Sequence, residues 1–596
     1  MKACDRPCLL DLSGNYDKND TGVALIYSKT GWGLICLCQV KIMETGQART
    51  KTKANIAPFA EADFIVVGAG SAGCILANRL SENPNNSVIL VEAGAADTHP
   101  FIHIPAGFVN LMTNPSVNWM FSTCPQDHLN GRTMNMPRGK VFGGTSSING
   151  MLYVRGQTQD FDHWAQAGNT GWSFEDVLPY FKKSVQTHLN PLPANTDMHG
   201  FSGELHISSP RTTYKTLDCF IEAAGQCGYE THTDYNGLSQ AGFSYFQLAQ
   251  KNGLRHSSYQ AFIAPFRNRR NLKLLSKAQA HKLCFDGDQH TVTGLIVSQQ
   301  GKTVEIKARR EVILCAGAFG SPQLLELSGI GEAKRLQSIG ITPRVNLKAV
   351  GEHLADHFLT RLTWELSSHD SLNTSLSGFG LIKEATNFLL HRRGALTMPA
   401  GIVGGFVASR FASEGCPDIQ FHAAHASFSD PAKRVFDKFP ALSVGPCQLR
   451  PHSRGYTHIS SADPNRPPDI DPRYLDEEID RLVLVEGMKI ARHIMDSDPI
   501  KAIVKAEARP GKECVTDDEL LDFAKQTGNT VYHPVSTCRM GPADQPDHVV
   551  TPDLKVRGVS RLRVADASIM PFITSGNTNA PTMMIAEKAA DLILTS

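Results

Sequence analysis

The apolar residues of this chain gather in short runs that end abruptly at glycine or at an acid, and those runs predict most of its elements. Phe64-Ile65-Val66-Val67 breaks directly into Gly68-Ala69-Gly70-Ser71-Ala72-Gly73. Four apolar residues closed by glycine predict a buried parallel strand, and Cys74 to Leu80 after the glycines predicts a helix. Val88 to Val91 is a second run of the same kind and ends in Glu92. Leu272 to Phe285 is strand-like. Glu311-Val312-Ile313-Leu314-Cys315-Ala316-Gly317 reads as another buried parallel strand, followed by a helix from about Pro322 to Leu327 that Gly329 and Gly331 end.

From about Phe358 to Leu449 the pattern changes to alternation with turns between, as in Asp418-Ile419-Gln420-Phe421-His422-Ala423-Ala424-His425, and predicts an antiparallel sheet. Gly455 to Asp463 continues it. Glu477 to Ile494 has the period of an amphipathic helix, and Pro581, Ile585, Ala589 and Leu592 support a last one. Residues 1–60 hold no sustained period, and there is no internal repeat or low-complexity tract. The expected fold class is α/β, with a Rossmann-like nucleotide-binding domain interleaved with a substrate domain built on an antiparallel sheet.

Gly68, Gly70 and Gly73 permit a tight turn, close approach of a pyrophosphate to backbone N–H groups, and close packing of the following helix. The helix N-terminus presents unpaired N–H groups and the positive end of its dipole to the phosphates. Glu92 falls 19 residues after Gly73, where a carboxylate accepts from both ribose hydroxyls. The fingerprint alone does not separate NAD from FAD. Two further glycine-rich loops, Arg138 to Gly150 and Gly317 to Gly331, do not fit a plain nicotinamide dehydrogenase. With Tyr532-His533-Pro534 and Asn577-Thr578-Asn579-Ala580-Pro581, they resemble the glucose-methanol-choline (GMC) family of FAD-dependent oxidoreductases, from about Asp63 to the last residues.

The resemblance implies an FAD-binding region over residues 61–357, a substrate-domain sheet over 358–449, and a C-terminal region over 450–596 that carries the active-site histidine. It implies FAD contacts from Gly68, Gly70, Ser71, Ala72, Gly73, Glu92, Ala93, Gly139, Val141, Gly144, Asn149, Gly150, Ala280, Asp566 and Asn579. Ile148 stands where some members bear a histidine bonded to FAD, so the cofactor is expected without a covalent link. His533 matches the family's active-site histidine. Oxidising an alcohol removes a hydroxyl proton and a hydride from the same carbon, and a base titrating near neutrality takes the proton while the flavin takes the hydride. Asn579 is expected as the second polar catalytic position, able to hydrogen-bond the substrate oxygen. Neither Cys416 nor Cys447 matches the active-site cysteine of the family's light-driven decarboxylases.

The expected function is a choline dehydrogenase-like alcohol dehydrogenase that passes electrons to a quinone-like acceptor. An oxygen-using oxidase, a flavin-dependent lyase and a protein holding FAD without turnover stay open. Choline requires an aromatic cage or a carboxylate, which Tyr532 alone does not establish.

Composition narrows the remaining choices. Of 596 residues, 41% are apolar and 20% charged, as in a globular protein with a sizeable core. Lys plus Arg number 59 against 58 for Asp plus Glu, so no overall field gathers nucleic acid. Val23 to Val40 is interrupted by Ser28, Lys29 and Thr30 and is not expected to span a membrane, and the charges between Asp5 and Asp20 interrupt any secretory signal. The expectation is a cytoplasmic protein, with peripheral contact at the inner membrane left open. Fourteen scattered cysteines read as reduced thiols. Cys4, Cys8, Cys36 and Cys38 have poor zinc spacing, and residues 1–60 read as an unstructured extension or a start assigned upstream of Met43. Of the histidines, the pairs His353/His357 and His422/His425 read as structural rather than as metal ligands, with His422 or His425 able to line the substrate cavity. No metal is expected.

Overall fold

The computed structural model describes residues 61–596 apart from Thr233, His369, Ser377, Ala400 and residues 431–434. The expectations for the N-terminal extension, its four cysteines, Val23 to Val40 and Met43 lie outside the described residues.

The nucleotide half opens with β1 (Glu61–Val67), α1 (Ser71–Leu80) and β2 (Val88–Val91). Phe64 to Val67 and all of β2 are buried because the sheet is covered on both faces, which is why these strands are continuously apolar. The run from Leu272 to Phe285 is two strands, β3 (Leu272–Leu275) and β4 (Ala278–Phe285), since Lys277 turns the chain through a left-handed conformation. β3 lies parallel to β2, whereas β4 pairs antiparallel with β5 (Val292–Gln299). β6 (Lys302–Leu314) is long enough to pair antiparallel with β5 at its start and parallel with β1 along its length. It feeds α2 (Gly317–Leu327), which begins five residues before the expected Pro322. The strand order is β3-β2-β1-β6-β5-β4, and the strand Leu562–Val564 returns from the C-terminal region to lie parallel to β6.

The second sheet is antiparallel throughout. β7 (Leu362–Leu366), β8 (Val403–Val407), β9 (Ile419–Ala424) and β10 (Ala441–Gln448) form its centre in the order β7-β10-β9-β8. It also recruits Gly242–Tyr245 beside β8 and Val504–Arg509 beside β7, so its strands extend outside the window 358–449. Gly455–His458 does not continue this sheet. Both edges of β10 are already paired, and the later strand joins Glu352–Leu354 and Asp469–Asp471 in a separate three-stranded sheet.

Alternation sorts the two faces. Ile419, Phe421 and Ala423 of β9, with Leu442 and Val444 of β10, share one core with the helix Glu478–Met495, leaving Gln420 and His422 on the opposite face.

The C-terminal helix α3 (Asn579–Leu594) runs beside α1 in the same direction. Ser71 Oγ donates to Asn579 Oδ1 at 2.6 Å, and eight residues further along each helix Arg79 forms a bidentate bond with Glu587, at 2.8 and 2.7 Å. Glu587 is fully buried, and Arg79 also reaches Glu204 and Glu82. Glu587→Ala is therefore expected to lower unfolding stability by about 3–5 kcal/mol, the usual cost of stripping one partner from a buried ion pair. Denaturant unfolding compared with the parent measures it, and a loss below about 1 kcal/mol would mean that Glu204 and Glu82 suffice to balance the arginine.

Candidate active site

Three glycine-bearing segments converge at the C-terminal ends of β1 and β6. α1 starts on Gly70 without a side-chain cap and without an acid in its first turn. A Cβ at Gly73 would stand 1.9 Å from the Gly68 carbonyl oxygen, so glycine alone lets α1 pack on the turn. The second loop closes on the first: Gly143 N donates to Ala69 O at 2.7 Å, and Gly144, at φ +51°, brings its α-carbon so close to Gly70 that a Cβ would lie 2.6 Å from it. Gly139 packs against Gly144, and Val141 is buried with Ile148 and Ile102. Asn149 and Gly150 follow, half-buried, with Asn149 Oδ1 accepting from Arg255 at 2.8 Å.

Glu92 is buried and accepts from Ala69 N at 3.0 Å and Gly94 N at 2.8 Å. Burial pushes its carboxyl up to about 7. Ala93 follows in the turn, and Ala280 lies nearby in β4, whose first residue, Ala278, donates its N–H to Glu92 O. Asp566 is placed differently from a free contact. Its carboxylate is spent on Gly317 N, Ser321 Oγ, and the N–H and hydroxyl of Ser568, so it holds the third glycine loop to the C-terminal segment.

These residues fit an anionic dinucleotide. α1 and α3 present both N-termini to the same place, neither with a side-chain cap or an acid in its first turn, and the two dipoles repel unless an anion lies there. A Cβ at Gly70 would meet nothing nearer than 4.0 Å, so the approach is open. Ile148 sits in an apolar cluster and offers no group for a covalent bond.

The second part of the site is a chain of hydrogen bonds through two imidazoles. His357 Nε2 lies 2.9 Å from Leu449 O, His357 Nδ1 lies 3.0 Å from His533 Nδ1, and His533 Nε2 lies 3.0 Å from Asn577 Nδ2. Gln420 Nε2 then donates to Asn577 Oδ1 at 3.2 Å. The carbonyl of Leu449 can only accept, so His357 carries its proton on Nε2. Burial holds His357 down to about 4, so it is neutral and its Nδ1 accepts. His533 must then donate from Nδ1. Burial, with help from His357, His422 and Arg138, holds His533 well below the ordinary imidazole range, so it too is neutral and its Nε2 lone pair is free to accept. The orientation of the Asn577 amide follows.

Asp356 fixes where both rings stand. Its buried carboxylate accepts from His357 N at 2.9 Å, His533 N at 2.7 Å, Thr530 Oγ1 at 2.6 Å, and the hydroxyl of Tyr474. Arg138 approaches behind this knot and donates to Tyr532 O at 2.6 Å.

Asn579 does not reach His533, contrary to its expected role as the second catalytic position. Its amide belongs to the Ser71 contact at the head of α1, because it occupies the first turn of α3 while Asn577 precedes the helix cap and points the other way. The i, i+4 spacing of His353 and His357 has no helical meaning, since the segment is extended: His353 pairs with Asp547 and His357 with His533. His422 lies on the inner face of β9, near enough to His533 to lower its pKa, whereas His425 stacks on Tyr214. Cys447 is buried with its thiol pushed far up, which does not make a thiolate. Among the described residues no three His, Cys, Asp or Glu side chains converge as metal ligands.

Comparison with known proteins gives the family of the chain. The chain matches the GMC oxidoreductase family in two blocks, residues 62–359 and 451–586. It is 39% identical over 534 residues to an alcohol dehydrogenase [acceptor] of Pseudomonas putida, covering 89% of this chain and 95% of that one. It is 39% identical over 541 residues to an oxygen-dependent choline dehydrogenase of Brucella suis biovar 1 (strain 1330), covering 90% and 96%. Among solved structures it resembles pyridoxine 4-oxidase from Mesorbium loti, with a TM-score of 0.79 and 30% identity over 89% of this chain and 98% of the other.

The chain of donors and acceptors makes one His533 tautomer obligatory. Nitrogen NMR of histidine-labelled protein is expected to show His533 protonated on Nδ1 and bare on Nε2 through neutral pH. A proton on Nε2 would break the derivation at the His357 link.

Proposed function

Because the chain belongs to the GMC oxidoreductase family and uses FAD, we propose that it oxidises the CH–OH group of an alcohol to an aldehyde or ketone and hands the electrons to a quinone-like acceptor. The observation that carries this reading is the neutral His533 with a bare Nε2 beside the Asn577 amide. FAD, held at the glycine turn and the heads of α1 and α3, would supply the hydride acceptor. His533 Nε2 takes the hydroxyl proton, while its Nδ1–H stays bonded to His357 and keeps the ring from turning. Asn577 Nδ2–H, freed from the ring by the incoming hydroxyl, donates to the substrate oxygen as negative charge develops there. Gln420 holds the Asn577 oxygen and so keeps the N–H group aimed at that position.

A quinone acceptor is supported by likeness to the acceptor-type alcohol dehydrogenase, and oxygen by likeness to the oxygen-dependent choline dehydrogenase. A quinone would bring the protein to the inner membrane surface. No described helix is long and apolar enough to cross a membrane. A screen of alcohols with an artificial electron acceptor, then with a quinone analogue or oxygen, tests the reading. Absence of flavin reduction by any alcohol would leave the lyase or a non-catalytic flavoprotein.

Four outcomes are expected, one from the purified parent and three from variants. The parent should be yellow and release all its FAD on acid precipitation, because Ile148 forms no bond to it; flavin left in the pellet contradicts noncovalent binding. His533→Ala should retain FAD yet slow anaerobic flavin reduction by roughly two to four orders of magnitude. Asn577→Ala should cost at most about 3 kcal/mol of transition-state stabilisation, and Asn579→Ala should act on FAD retention instead. Rapid mixing of each variant with substrate reads these rates, and reduction of the His533→Ala flavin at the parental rate would remove the proposed base.

A further inference from the structure

The inner face of the antiparallel sheet carries a cation, Arg361, that the hydrogen-bond chain does not use. Leu362, Trp364 and Leu366 of β7 point into the outer core with Leu442 and Val444 of β10. By alternation Arg361, Thr363, Gly445 and Cys447 face inward with Gln420 and His422 of β9. The Thr363 and Ser443 hydroxyls meet across the strands at 3.4 Å, as that assignment requires. Gly445 leaves room for the arginine to lie across the sheet: a Cβ there would stand 3.3 Å from Arg361 Cγ. Arg361 is close enough to Tyr532, His422 and Cys447 for its charge to shift their protonation.

Arg361 combines two properties. Its side chain is accessible to solvent, yet it lies so deep that desolvation pulls the guanidinium below its ordinary pKa. Alternation puts this side chain on the face of the sheet that Gln420 and His422 share. It makes no hydrogen bond or ion pair with any described residue. The other deep arginines all hold protein acceptors, among them Arg138 on Pro137 O and Tyr532 O, Arg255 on Ile102 O, Ser146 O and Asn149, Arg155 on Met198 O, and Arg563 on Glu311 and Asp553 O. An accessible guanidinium with no carboxylate partner has its whole fork of N–H donors free for an anion that comes from outside the fold.

We propose that Arg361 anchors an anionic group on the substrate, so that the preferred alcohols are hydroxy acids whose carboxylate lies away from the carbinol carbon. The planar fork of arginine matches a carboxylate in bidentate geometry and would hold the far end of the molecule while its hydroxyl meets His533. The same charge repels a quaternary ammonium and so opposes choline. The inference rests on the reading of His533 and Asn577 as the alcohol-binding pair, and it adds the substrate's other end.

The test compares ω-hydroxyalkanoates with the matching ω-hydroxyalkanamides, using holoenzyme and anaerobic flavin reduction. The parent is expected to favour the acid by about ten- to a hundredfold in kcat/KM, the usual range for a hydrogen-bonded charge. Arg361→Met should bring that ratio close to one, mainly by raising KM for the acids far more than for the amides, and keep its FAD, and Arg361→Lys should retain part of the preference. An equal rate on acid and amide in the parent, or an unchanged ratio in Arg361→Met, overturns the proposal. Titration with simple alkanoates that carry no hydroxyl, followed by the absorbance of the bound flavin, separates the two readings. A spectral shift in the parent that is lost in Arg361→Met supports the anion site even if no alcohol is oxidised. Its absence in the parent overturns the site whatever the alcohols do.

Discussion

Asp356 is a single buried carboxylate on which the reacting end of the molecule is assembled. It takes the backbone N–H groups of both His357 and His533, and it ties in Thr530 and Tyr474. Four donors on two oxygens describe an acceptor-only, ionised group, held against a desolvation that pushes its pKa upward. The segments it joins come from the end of the nucleotide-binding half and from the C-terminal region, which are far apart in sequence. With both backbones pinned to one anion, the imidazoles face each other at Nδ1. Everything beyond that point, the tautomers and the Asn577 amide, follows from which atoms can donate.

A similar economy governs the nucleotide end. Two parallel helices open on one spot, and their N-termini are joined by Ser71 and Asn579. Parallel dipoles side by side are unfavourable alone. The Arg79 to Glu587 bond clamps the pair about two turns beyond, while the open heads leave a place suited to phosphate. Asn577, at the entry to α3, carries this placement directly to His533. The helix that helps hold the nucleotide also positions the polar partner of the base.

Much of this was legible in the sequence where the physics is local. The glycine turn, its flanking strands and Glu92 fall where the spacing puts them, since turn geometry and a buried strand each leave a signature within a few residues. The chain of histidines left none, because His357, His533 and Leu449 meet only through tertiary folding. Asn577 and Asn579 are two residues apart and of one type, and only the position of the helix cap decides which faces the base. His353 and His357 have helical spacing, but the extended backbone sends them to different partners. Arg361 carries no motif, and its significance rests on the absence of a counter-charge that no sequence pattern displays.

Burial keeps His533 neutral and its Nε2 ready to accept a proton. The depressed pKa places loss of the base on the acid side of the ordinary imidazole value, because protonation requires a lower pH than it does in water. The direct measurement is the rate of anaerobic flavin reduction at limiting alcohol across pH, taken on enzyme whose FAD content is constant. The rate is expected to stay level as pH falls through about 6.5 and to decline only in more acidic solution. A decline centred at or above the ordinary imidazole value would contradict a neutral His533.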